Sequence, residues 1–124
     1  MKTINRNATN ITPAVTFAEN SKLLIKGRSI AEDVLKFYQP LIDWAGKLNI
    51  SSLTVDINLE YVNSSSSKKL FSLLKVLDTN TSIKDLTINW FYEEGDEDSL
   101  EKGRFYEKLL LKAKFRYYRC AEAV

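Results

Sequence analysis

The chain has 124 residues, 44% of them hydrophobic and 27% charged, a length and balance that suit one globular domain and leave no room for a second. With 18 basic against 16 acidic residues in mixed order, the net charge of +2 builds no broad basic field, and no nucleic-acid partner is expected. Histidine is absent and Cys120 is the single cysteine, which excludes Ser-His-Asp triads, Cys-His dyads, histidine phosphorelay, His-ligated metals and an internal disulfide.

In chain order, residues 1–12 are polar and rich in Asn and Thr, and a flexible arm is expected there, with a single domain over 13–124. Met1 to Arg6 lacks the apolar core of a signal peptide, and no apolar run approaches the ~20 residues of a membrane span, so a cytoplasmic protein without membrane insertion is expected. Two short strands, Ala14 to Ala18 and Lys22 to Lys26, flank a hairpin turn at Glu19-Asn20-Ser21, and Gly27 is expected to release the chain toward a helix. Ser29-Ile30-Ala31-Glu32 matches a capping box, followed by Ile30, Val34, Phe37, Leu41, Trp44 and Leu48 at helical spacing, with a kink expected at Pro40.

From Leu53 to Tyr61 the alternation is strict, with Leu53, Val55, Ile57, Leu59 and Tyr61 on one side and Thr54, Asp56, Asn58 and Glu60 on the other. Asp85 to Glu93 repeats it, with only Phe91 breaking the polar side. Strands covered on both faces would read as continuous apolar runs, so helices on mainly one face are predicted. Between the two strands, Leu70, Phe71, Leu73, Leu74 and Leu77 mark a helix over Lys68 to Leu77 that Asp78-Thr79-Asn80-Thr81 ends, completing a βαβ unit. A last helix is predicted from about Asp98 through Leu100, Phe105, Leu109 and Leu110, with Asp98 to Glu101 as a capping-box-like signal, and Phe115 to Tyr118 could add an edge strand.

Two segments carry candidate chemistry. Asn63-Ser64-Ser65-Ser66-Ser67-Lys68 lies between a patterned strand and a patterned helix, at the strand's C-terminal end, where α/β folds place functional groups. A phosphorylated serine at a helix N-terminus meets unpaired N–H groups and a favourable dipole, while adding about −1.5 to −2 charge to the surface. The plain alternative, one serine as N-cap and the rest as turn, stays open at this level. The second segment packs six carboxylates into nine residues, Glu93, Glu94, Asp96, Glu97, Asp98 and Glu101. It reads as an acidic partner surface or a solvated loop; an EF-hand ligand pattern is missing, and a carboxylate-based metal-dependent hydrolase using Asp96, Asp98 and Glu101 is the enzyme-class alternative. No cofactor and no metal are expected.

Several blocks together resemble one family. Thr12-Pro13-Ala14-Val15-Thr16-Phe17, Ile25-Lys26-Gly27-Arg28-Ser29, Phe37-Tyr38-Gln39-Pro40 with Trp44 following, Tyr61 through Lys68, and Trp90 through Asp98 are similar to the SiaC family of bacterial regulatory phosphoproteins. The resemblance implies an α/β, two-layer fold like that of STAS domains and anti-sigma-factor antagonists, with four to five strands. It implies a non-enzymatic protein phosphorylated on the hydroxyl residue after the Asn, which falls on Ser64, with Ser65 as the alternative. The partners it implies are a serine/threonine kinase with a histidine-kinase-like ATPase fold, a PP2C-type phosphatase and a diguanylate cyclase activated by the unmodified protein, tying the cycle to cyclic-di-GMP and biofilm behaviour. Gly103-Arg104-Phe105 stands where the family has Gly-Glu-Asp, and Ala18 where an acidic residue is common, so another output protein remains open. The competing expectation is a constitutive STAS-like scaffold that binds partners without phosphorylation.

Overall fold

A computed structural model describes residues 3–18 and 20–121. Met1 and Lys2 of the expected arm and Glu19 of the expected hairpin turn lie outside the described residues. The elements are β1 (Ile4–Arg6), β2 (Ala14–Ala18), β3 (Lys22–Ser29), α1 (Val34–Gly46), β4 (Ser52–Val62), α2 (Ser64–Thr79), β5 (Asp85–Glu93), α3 (Glu97–Leu109) and β6 (Lys114–Cys120). They form one six-stranded mixed sheet in the order β1-β2-β3-β4-β5-β6. The first two pairings are antiparallel and the remaining three parallel, so each helix is a crossover between neighbouring parallel strands.

Six strands exceed the four to five expected. The addition is β1, within the segment expected as a loose arm: Ile4 pairs with Phe17 and Arg6 with Val15, and the Arg6 guanidinium donates to the Phe37 carbonyl at 3.3 Å. A three-residue strand is too short to show alternation, and its edge partner supplies the register.

The core lies between the helices and one face of the sheet. Val15, Phe17, Leu23, Ile25, Val55, Ile57, Ile88 and Trp90 form a single cluster with Tyr38, Leu41 and Ala45 of α1, Leu70, Leu73, Leu74 and Leu77 of α2, and Tyr106 of α3. The opposite face carries no helix among the described residues. There Asp56, expected on the wet side of β4, is only 8% exposed because Lys22 Nζ at 3.1 Å and Asn89 Nδ2 at 2.9 Å cover its carboxylate. Phe91, the residue that broke the polar side of β5, stacks on Tyr118 of β6 at 5.0 Å. Tyr61, at the end of the β4 alternation, is exposed with Arg28 over its ring at 5.2 Å.

The helix starts differ from the sequence expectations in a consistent way. Gly27 does not release the chain, since β3 continues through it to Ser29 with a register irregularity, at a φ of +127° that an L side chain rarely adopts. Ser29 is therefore a buried strand residue whose hydroxyl bonds Tyr38 Oη at 2.5 Å rather than a capping-box serine. The α1 cap is Asp33, accepting from Lys36 N at 3.1 Å, and Pro40 sits inside a helix that continues past it to Gly46. In α3 the cap is Asp96, accepting from Ser99 N at 3.1 Å, in place of Asp98.

Candidate functional site

At the C-terminal end of β4 the chain passes directly into α2, and Asn63, not a serine, is the cap. Its side-chain oxygen accepts from Ser66 N at 2.8 Å, its amide donates to the Ala31 carbonyl at 3.4 Å, and its backbone N–H donates to the Ser29 carbonyl at 3.1 Å. One bond within the helix and two to the segment Ser29 to Ala31 thus fix its start, and the four serines occupy its first turn. A helical turn spreads them over different surroundings. Ser64 and Ser65 are exposed, Ser66 is fully buried with a hydroxyl that has no hydrogen-bond partner, and Ser67 is half-buried with its Oγ 3.1 Å from Tyr106 Oη.

Tyr106 joins α3 to this turn. Its hydroxyl donates to the Ser67 carbonyl at 2.7 Å, and its ring lies 5.7 Å from Trp90 and 5.2 Å from Phe71. Burial pushes its phenol above the ordinary range, an effect that the Ser67 bond opposes. Trp90 in turn donates Nε1–H to the Ser99 carbonyl at 3.0 Å, and Gly103 lies against the indole face. Beside Ser29, burial raises the Tyr38 phenol to about 12.

Between α2 and α3 runs a groove of about 930 Å³. Ser64, Ser67 and Lys68 line its α2 side, with Phe71 and Tyr106 along the floor and Phe105 and Leu109 exposed at the edge. The α3 side brings Asp98, Glu101, Lys102, Arg104 and Lys108 to the same groove. Two of the acidic candidates, Asp98 and Glu101, therefore meet Ser64 across a shared surface, while Asp96 is engaged as the α3 cap and Glu93, Glu94 and Glu97 lie outside the groove. Ser65 does not line it. Asp96, Asp98 and Glu101 form no cluster able to hold a metal among the described residues, which gives the metal-dependent hydrolase no structural support. The sequence reading gave no role to Lys102 or Tyr106 and took Gly103 only as part of the block Gly103-Arg104-Phe105. For Gly103 and Tyr106 the signal is the spacing Leu100, Gly103, Tyr106 and the C-cap Leu110, which marks the buried side of α3 only when a glycine is counted as a contact position; Lys102 lies off that spacing.

A family model described as SiaC family regulatory phosphoprotein matches residues 6–120. The chain belongs to the SiaC family. The SiaC fold is present throughout: apo-SiaC from Pseudomonas aeruginosa superposes with a TM-score of 0.80 at 21% identity, over 94% of this chain and 98% of that one. A second structure of P. aeruginosa SiaC gives 0.80 at 21% identity, over 98% of this chain and 100% of that one. A chain of the complex of the P. aeruginosa diguanylate cyclase SiaD with its activator SiaC gives 0.78 at 22% identity, covering 96% and 99%. The comparison with curated protein sequences returned no match. No helix among the described residues is long and apolar enough to cross a membrane.

Proposed function

We propose that this SiaC-family protein is a non-enzymatic cytoplasmic switch in which phosphorylation of Ser64 controls binding of a partner at the α2–α3 groove, and that the unmodified form activates a diguanylate cyclase. One observation supports Ser64 over its neighbours: it alone among the four serines is both exposed and part of the groove wall. Ser66 is inaccessible, Ser67 is held by Tyr106, and Ser65 is exposed but is not part of the groove lining. A phosphoryl group at Ser64 adds about −1.5 to −2 charge to the wall of a groove lined by four cationic and two acidic side chains, Lys68, Lys102, Arg104 and Lys108 against Asp98 and Glu101, which changes the surface a partner meets without requiring a rearrangement of the fold. The cyclase is proposed by analogy with the solved complex of the P. aeruginosa diguanylate cyclase SiaD and its activator SiaC. An ATPase-fold kinase, a PP2C-type phosphatase and a link to biofilm behaviour are the remaining parts of this reading, carried over from the family resemblance.

The test is phosphosite mapping of the protein isolated from its native cells, with and without phosphatase treatment. A phosphatase-sensitive phosphoryl group on Ser64 is expected, together with retained cyclase activation by Ser64→Ala and reduced activation by Ser64→Asp. No phosphate under any growth condition, with Ser64→Ala and wild type equivalent in cells, would favour the constitutive scaffold instead.

A further inference from the structure

Lys102 occupies an unusual position for an ammonium. It is half-buried, lines the α2–α3 groove and also a second cavity with Glu60, Tyr61 and Val62, and belongs to none of the ion pairs formed within 4 Å among the described residues. Burial pulls its ionisation below the ordinary lysine range, opposed by the charges of Asp96 and Asp98. The register of the two helices places it relative to the serines. Both α2 and α3 return from parallel strands and so run in the same direction, and they touch where Tyr106 meets Ser67. One turn toward the N-terminus from each member of that contact are Lys102 and Ser64, on the same helix faces. Lys68 lies one turn further along α2 from Ser64.

We propose that Lys102 is the receiving cation for a phosphoryl group on Ser64: the phosphoserine pairs with the Lys102 ammonium across the groove, with Lys68 as a second donor from its own helix. The pairing rests on Ser64 being the acceptor and supplies a mechanism for that switch. An ammonium already stripped of part of its water gains more from an incoming dianion than a solvated one does. The charges lining the groove suit the modified state. Lys68, Lys102, Arg104 and Lys108 outnumber Asp98 and Glu101, so a phosphate of about −2 charge neutralises the lining instead of adding to a negative surface. The ion pair lies in the same groove as Phe71, Phe105 and Leu109, so phosphorylation competes with a partner that binds those side chains.

The experiment uses the full chain with phosphoserine installed during translation at position 64, followed by ³¹P NMR through a pH titration. Free phosphoserine loses its second proton near pH ~6. In the folded protein that ionisation is expected about one unit lower, because an opposite charge within reach favours the dianion. Lys102→Gln is expected to abolish most of the depression, Lys102→Arg to retain it, and Lys84→Gln, at an exposed lysine outside the groove, to leave it unchanged. Superimposable titrations of wild type and Lys102→Gln overturn the proposal, as does a depression that only Lys68→Gln removes. Lys102→Arg keeps the test decisive if the glutamine variant unfolds, since loss of the depression in a folded arginine variant also overturns it. Because the phosphate is installed, the titration is independent of whether Ser64 is modified in cells, which phosphosite mapping decides by itself.

Discussion

Gly103 shows how much one missing methyl group decides. A Cβ there would sit 3.0 Å from three ring atoms of Trp90, in a rigid indole that also holds the Ser99 carbonyl. Ala is the better helix former by about 1 kcal/mol. Overpacking nevertheless costs about 1–3 kcal/mol, so Gly103→Ala is expected to be net destabilising, with a lower urea midpoint by Trp fluorescence. Ser66 gives the opposite expectation. Its buried hydroxyl has no partner, so Ser66→Ala is expected to raise stability by up to about 1 kcal/mol, whereas Ser64→Ala and Ser65→Ala, both at exposed positions, leave Tm nearly unchanged. A thermal melt of the three variants separates a structural serine from surface ones. These differences were not legible in four identical letters: the run marks the turn, and only burial distinguishes its members.

The second helix is fixed at both ends by side chains that reach other elements. At its start Asn63 satisfies Ser66 N and also binds the Ala31 carbonyl, and Asn63→Ala is expected to cost about 1–2 kcal/mol in denaturant unfolding. At its end the buried Asp78 carboxylate accepts from the backbone N–H groups of Leu111, Lys112 and Ala113, at 2.8, 2.9 and 2.9 Å. Asp78→Ala leaves those donors without an acceptor, with an expected loss of roughly 2–4 kcal/mol and early amide exchange at residues 111–113. From sequence, Asp78 reads as the beginning of a helix stop. Its partners lie more than thirty residues away, so local spacing carries no trace of its role as the anchor of the α3–β6 connection.

At the scale of the molecule, one helical layer covers one face of a six-stranded sheet, and Tyr38 lies within that layer against Ser29. Its phenol is raised to about 12, mainly by burial, with the Ser29 bond opposing, and the unfolded chain titrates near 10. The folded form therefore holds the proton more tightly. Its contribution is complete below about pH 10 and is lost as pH rises through about 12, a loss of roughly 2–3 kcal/mol. Alkaline unfolding is expected to begin above pH ~10, and Tyr38→Phe should flatten that limb of a stability–pH curve measured by chemical denaturation; Tyr117, raised by burial and by its bond to Glu107 at a partly exposed position, and Tyr106, raised by burial, keep the rest of it.

The α/β class, the βαβ units and the covered face were legible in the residues alone, because alternation in β4 and β5 and helical spacing in α2 are local and repeat often enough to be read. The residues also carried the SiaC resemblance, through motifs spread nearly end to end. Tertiary structure alone decided where helices begin, since Ser29 is drawn into the sheet by its pairing with Val62 and into the core by Tyr38, leaving Asp33 to cap α1. It alone joined Ser64 to Asp98, Glu101 and Lys102, which are separated by more than thirty residues and meet because parallel crossovers set α2 beside α3. Periodicity reports which side of an element is buried; it does not report which neighbour the other side faces.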